Sequence, residues 1–154
     1  MCSEMEIILV SETSSLKINF EHTLDVKNKK IALLGFQSPD IDKSFEGKRR
    51  EKRVPKDSYF VGDSLTMVVH CDKIVDNVFV NKTDSFNFSS PIKSLGILRV
   101  KSGLGYNSIE IKNPKYYNLN TESLFSLDIE LRDLNENMIN FDPGYIVVNL
   151  GIRS

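Results

Sequence analysis

The residues best suited to chemistry are the adjacent His70, Cys71 and Asp72. A cysteine becomes a nucleophile when an imidazole lies within hydrogen-bond reach and accepts its proton. Here the residues end an alternating run, 65–71, which predicts a β-strand, and neighbours in a strand point to opposite faces. We therefore expect a buried Cys71 beside a solvated His70, and no catalytic pair.

A second pattern resembles a calcium site. Asp133, Asn135 and Asn137 have the spacing that opens an EF-hand loop, in which alternate oxygen ligands face one cation. Met138, however, occupies the position that requires glycine, and Gly144 occupies that of the bidentate glutamate. A polar turn is the expected structure.

The chain has too few histidines for the other common kinds of metal site. Metal-dependent jelly rolls use several histidines of one sheet, whereas this chain has only His22 and His70. We expect no catalytic residue, no metal and no other cofactor, and we predict that the protein is not an enzyme.

One dense basic run stands out, and its candidate partner-contact residues are Lys48, Arg49, Arg50, Lys52 and Arg53. The run is either a solvated loop or a charged contact with a partner. Such a contact could be a nuclear localisation signal or a phosphate-binding patch. Proteolytic processing there, and glycosylation at Asn81 or Asn87, are not expected because no secretory signal precedes them.

Composition narrows the possible partners. The chain has 154 residues, enough for one domain, and a formal net charge of -1 from 20 basic and 21 acidic residues. Such a balance does not attract nucleic acid or an anionic membrane, so nucleic acid is expected only at the basic run. The longest apolar runs, 31–36 and 145–152, are too short for a membrane-spanning helix. We expect no membrane partner, no small-molecule substrate and no secretion.

The elements that position these residues are predicted to be strands. Ala32 is the only alanine, whereas β-branched and aromatic residues abound. Period-2 alternation and turn residues predict strands at 5–10, 16–20, 31–36, 65–71, 74–80, 84–88, 95–100, 108–111, 125–131 and 145–152. Residues 37–58 lack periodicity and contain Pro39 and Pro55, so we expect a long exposed loop there.

The two strands nearest the C-terminus have the clearest alternation. Phe125, Leu127, Ile129 and Leu131 share one predicted face in the first strand, and Ile146, Val148, Leu150 and Ile152 share one face in the second. Polar turns separate the strands, and we expect them to be antiparallel neighbours.

Several segments follow one another in a distinctive order. They are LKINF at 16–20, LDV at 24–26, KIALLGF at 30–36, a hydrophobic run ending in Cys-Asp at 67–72, ILRV at 97–100 and the alternating stretch 126–153. This order resembles the jelly-roll proteins encoded by Maverick/Polinton elements and related DNA viruses. The resemblance covers most of the chain outside 37–64.

The resemblance implies a fold and a function. Because the chain is half the length of a double jelly roll, it implies a single jelly roll, an all-β antiparallel sandwich of two roughly four-stranded sheets. The implied function is that of a minor capsid, or penton-like, protein. Such a protein would form a homopentamer at the five-fold vertices of a virion and contact a major capsid protein. It would assemble inside the host cell, in the nucleus or the cytoplasm. The gene could equally be a host-resident copy of one that encodes such a protein. A jelly-roll recognition module that binds a carbohydrate or protein through its loops is the alternative.

Overall fold

Ten β-strands form two antiparallel sheets in the computed structural model, which describes residues 4–40, 60–61, 64–75, 93–101, 106–141 and 143–154. The strands are β1 (Met5–Ser11), β2 (Ser15–Asp25), β3 (Lys30–Ser38), β4 (Phe60–Val61), β5 (Ser64–Cys71), β6 (Ser94–Lys101), β7 (Asn107–Glu110), β8 (Tyr117–Asn118), β9 (Ser123–Asp133) and β10 (Ile146–Arg153). The described ranges contain no helix, so the predicted all-β class is confirmed. Consequently they include no helix able to cross a membrane.

Sheet A has the order β1-β10-β3-β7. Strand β7 pairs with the end of β3, at 35–38, and the two-residue strand β8 pairs with its beginning, at Lys30 and Ile31. Strand β3 therefore has hydrogen-bonded neighbours along both edges, so it is a central strand of the sheet, as its apolar sequence predicts.

Sheet B has the order β2-β9-β5-β4, and β6 also pairs with β5. Ser64 and Leu65 pair with both β4 and β6, so these two strands must lie on opposite sides of β5. The two-residue β4 therefore shares the side of β9, and the long strands run in the order β2-β9-β5-β6.

The two sheets together make a jelly roll. The arrangement β1-β10-β3-β7 against β2-β9-β5-β6 uses eight strands in two sheets, as that architecture requires. The predicted single jelly roll with two roughly four-stranded sheets is confirmed, and β8 and β4 each add a two-residue fifth strand.

The predicted pairing of the last two long strands is wrong. Strand β9 lies in sheet B and β10 in sheet A, so they are not hydrogen-bonded neighbours. Alternation identifies the buried face of a strand but not the strand beside it. The chain between them crosses from one sheet to the other, and their apolar faces lie on opposite sides of one core.

The core lies between the sheets and contains the side chains that alternation predicts. Leu127, Ile129 and Leu131 of β9 are fully buried, as are Ile146, Val148 and Leu150 of β10. The other large contributors are Leu16, Ile31, Phe36, Leu65, Met67, Val69, Ile74, Leu124 and Ile139. Burial of this apolar area is the main force that holds the two sheets together.

Phe125 is the exception to the predicted core, because its side chain is 63% exposed while Leu124 is buried. The register between β2 and β9 shifts here, so that residues 20–23 of β2 lie opposite Phe125 alone. An irregularity of this kind changes which residues of a strand face inward. Strict alternation cannot anticipate it.

Several predicted elements fall partly or wholly outside the described residues. Gln37 and Ser38 belong to β3, so the predicted loop begins later than expected, and residues 41–59 are not described. The predicted strand 84–88 and most of 74–80 also lie outside. Ile74 itself forms an isolated bridge with Leu119.

Candidate functional site

His70 and Cys71 face opposite sides of sheet B, as predicted. Cys71 is 1% exposed and belongs to the core, whereas His70 lines the outer surface. Burial raises the pKa of the Cys71 thiol to about 12, so the thiol stays protonated at neutral pH. A protonated, buried thiol is not a nucleophile.

A polar cleft of about 720 Å³ lies on the outer face of sheet B. Charged side chains from β2, β5, β9 and the segments beside them line it, including Lys17, His70, Asp72, Asp128, Glu130 and Arg132. His70 is half-buried at its floor. Desolvation and the nearby Arg132 guanidinium lower its pKa, against the opposite influence of Glu136 and Glu130. Neutral imidazole is therefore the favoured form.

The charges in this cleft are largely paired with one another. The Nε of Arg132 donates to Glu130 at 2.8 Å, and Lys17 lies 3.9 Å from Asp128. Asp72 accepts a hydrogen bond from the amide of Asp128 at 3.0 Å. This surface can exchange its internal pairs for those of a charged partner, which makes its binding sensitive to salt.

The turn at 133–137 is a polar turn, as expected, and its geometry explains the residue types. The amides of Asn135 and Asn137 donate to Oδ1 of Asp133 at 2.9 and 2.8 Å, and the side-chain amide of Asn137 reaches Oδ2 at 3.3 Å. The Asp133 side chain is buried and serves its own turn. In the described part of the chain, no group of three or more His, Cys, Asp or Glu residues is arranged to hold a metal ion.

The outer face of sheet A has a different character. Ile8 and Val10 of β1 are 59% and 58% exposed, and they lie beside Val147 of β10 and Leu34 of β3. We call these four residues the apolar stripe. The sequence did not reveal it, because residues 5–10 are apolar on both faces and only the sheet order shows which face stays uncovered.

Polar residues surround this stripe. Gly35, which has no side chain, lies between Asn149 and Glu110 at the floor of a groove of about 400 Å³. Asn149 donates to Glu6 at 2.6 Å, and the hydroxyl of Tyr106 donates to Gln37 at 2.9 Å. An apolar centre with a polar rim is the anatomy of a protein–protein interface.

The predicted partner-contact residues cannot be placed on either surface. Lys48, Arg49, Arg50, Lys52 and Arg53 lie outside the described residues. Asn81 and Asn87 lie outside them too. A contact through the basic run stays a prediction.

Comparison with solved structures identifies a related fold. The mavirus penton protein matches with a TM-score of 0.60 over 99% of both chains, at 8% sequence identity. The chain has the fold of a viral penton protein. No family model matches the sequence, and neither does any curated protein sequence.

The match confirms the penton-like jelly-roll fold that the resemblance implied. The match spans almost the full length of both proteins, so it includes both sheets rather than a shared hairpin. At 8% identity the match establishes the fold, whereas function depends on this chain's own surfaces.

Proposed function

We propose that the protein is a structural capsid protein, the penton component at the five-fold vertices of a Polinton/Maverick-like virion or a host-resident copy of one. The observation that carries the proposal is the full-length match to the mavirus penton protein. In this proposal the subunit assembles within the host cell as a homopentamer, contacts a major capsid protein and is not an enzyme.

The apolar stripe supports assembly. Ile8 and Val10 expose more than half of their side chains on a continuous sheet face. Contiguous exposed apolar patches with polar rims mark interaction sites, since covering them removes apolar area from water. The stripe therefore suits a permanent contact better than a solvated surface.

A closed ring of five subunits also needs two different contact surfaces on each subunit, because one surface of a subunit binds the other surface of its neighbour around the ring. The outer faces of the two sheets differ in this way. Sheet A offers the apolar stripe, and sheet B offers the polar cleft. Ile97 of β6, also in sheet B, is 43% exposed and lies outside the cleft. In the proposed ring the stripe is covered by a neighbouring subunit.

The proposal includes two further features of the chain. The whole chain acts as one jelly-roll domain, with the connection after β3 carried at its surface. Lys48, Arg49, Arg50, Lys52 and Arg53 supply a charged contact with a capsid partner, as the concentration of basic residues suggests.

Native mass spectrometry tests the proposal at micromolar concentration. We expect pentamers of the wild-type protein and folded monomers of the variant Ile8→Lys/Val10→Lys. The matched control is Val75→Lys, a residue 51% exposed on another part of the surface, which should leave the ring intact. A wild-type protein that is strictly monomeric, both alone and with the capsid partner, contradicts the proposal.

The polar cleft favours one alternative, a recognition module for a protein or carbohydrate ligand. The cleft has a volume of about 720 Å³ and is lined mainly by the strands of sheet B, with Asp72, Lys93 and Glu136 contributed by the segments beside them. In that case the protein is monomeric, and Glu130→Gln/Arg132→Gln removes ligand binding on a glycan or peptide array without affecting the fold.

A further inference from the structure

One end of sheet A carries a concentration of exposed positive charge. Lys30 begins β3 and Arg153 ends β10, and the two are direct cross-strand partners. Lys112 and Lys115 lie on the segment that leads from β7 to β8 along β3, and both are exposed. We call Lys30, Lys112, Lys115 and Arg153 the basic end.

Two aromatic rings are interleaved with these cations. The guanidinium carbon of Arg153 lies 3.7 Å from the ring centre of Tyr116, and Nζ of Lys115 lies 5.3 Å from that of Tyr117. Stacking orients the Arg153 guanidinium while leaving its N–H groups at the edge available to an anion. The basic end is therefore a partly organised surface, not four mobile side chains.

The basic end also differs from several other cations in the described part of the chain. Lys17, Lys27, Lys73 and Arg132 each form an ion pair with a carboxylate. None of the four cations of the basic end forms such a pair with any described residue. Lys30 and Arg153 side by side, with Lys115 on the neighbouring segment, create a local field that the net charge of -1 conceals.

The pairing of Lys30 with Arg153 points to an anionic ligand. Like charges directly opposite each other in a sheet destabilise it, and neither Lys30 nor Arg153 forms an ion pair with a described residue. An anion placed between the two side chains removes that repulsion. Asn118, the partner of Lys30 on the other side, adds a neutral side chain to the same row.

We propose that the basic end binds nucleic acid through its phosphates, without reading the base sequence. Several exposed cations combined with two half-buried aromatic rings suit a repeated phosphate backbone better than a single small anion. This activity goes beyond assembly of a capsid and does not depend on the ring. It also uses residues different from the basic run at 48–53.

Fluorescence anisotropy with labelled single-stranded and duplex DNA tests the proposal on the full chain. The test variant is Lys30→Ser/Arg153→Ser, and the matched control is Lys17→Ser/Lys27→Ser, which removes the same charge from paired lysines. For duplex DNA, the logarithm of the binding constant falls with the logarithm of the salt concentration, and each phosphate contact adds about 0.9 to the steepness of that slope. The test variant loses two contacts, so its slope should be shallower by about 1.8. Between about 50 and 200 mM salt, wild-type affinity should then fall roughly tenfold more than that of the variant.

Stability provides an independent readout. Lys30→Ser removes the like-charge pair, so its melting temperature should equal or exceed that of the wild type while its DNA affinity falls. Loss of DNA affinity in the test variant with an unchanged control supports the proposal. The proposal is overturned if the test variant binds DNA as tightly as the wild type, or if the test and control variants lose the same affinity. It is also overturned if the wild-type protein binds phosphatidylserine vesicles but not DNA.

Discussion

Leu34 lies directly over Gly151 on the outer face of sheet A. A Cβ atom at Gly151 would come within 3.0 Å of Cδ1 of Leu34 and within 3.3 Å of its Cδ2 and Cγ. The register between β10 and β3 shifts between Asn149 and Leu150, close to this contact. The small residue therefore allows Leu34 to rest on the neighbouring strand within the apolar stripe.

Gly151→Ala should lower the free energy of unfolding by about 1 kcal/mol, because Leu34 must move away from the added methyl group. When Leu34 is already replaced by alanine, the further change Gly151→Ala should cost much less, because no side chain then lies over the added methyl group. The control is Gly96→Ala, where the nearest atom of another element lies 3.8 Å away and a gain of about 0.4–1 kcal/mol is expected. Urea denaturation measures all three, and equal effects at both glycines contradict the steric explanation.

Val148→Asp should abolish folding. Val148 is fully buried between the sheets, where a carboxylate has no partner, so the loss should exceed about 4 kcal/mol. Val10→Asp, at a side chain 58% exposed, should leave the subunit folded. Circular dichroism of the two purified variants distinguishes the outcomes, and a folded Val148→Asp protein would show that the core is misassigned.

His70 should make stability depend on pH. Because burial and Arg132 lower its pKa below the ordinary 6.5, the unfolded state binds this proton more readily than the folded state. The contribution of His70 is therefore fully favourable above pH 6.5 and declines as the pH falls towards the lowered pKa.

Replacing this residue should flatten the profile. The decrease in urea midpoint from about pH 7.5 to 5.5 should be smaller for His70→Gln than for the wild type. His22→Gln, at an exposed position of β2, is the control and should behave like the wild type. An identical profile for His70→Gln would mean that the imidazole is solvated in the folded protein.

Asp133→Ala should destabilise the turn after β9. Removing a buried carboxylate that accepts two backbone amides costs about 1–3 kcal/mol. Asp133→Asn retains an acceptor oxygen and should cost less. Calcium should not change the melting temperature of the wild-type protein, and a clear increase would instead support a cation site at this turn.

The sequence by itself determined most of the long strands that the structure describes, and most of their buried faces. Side chains alternate across a strand, so Leu127, Ile129, Val148 and Leu150 could be assigned to the core from spacing alone, and Cys71 could be separated from His70 by the same rule. The order of short motifs also indicated the penton-like jelly roll, because that order reflects the whole chain and not any single pairing.

Tertiary structure decided which strands are neighbours and which surfaces stay exposed. Alternation is local, whereas β9 and β10 are assigned to different sheets by long-range hydrogen bonds that leave no local signal. The same long-range register exposes Phe125, leaves Ile8 and Val10 uncovered at an edge strand and brings Lys30 opposite Arg153. The proposed surfaces combine residues far apart in the chain, and only pairing across the sheet brings them together.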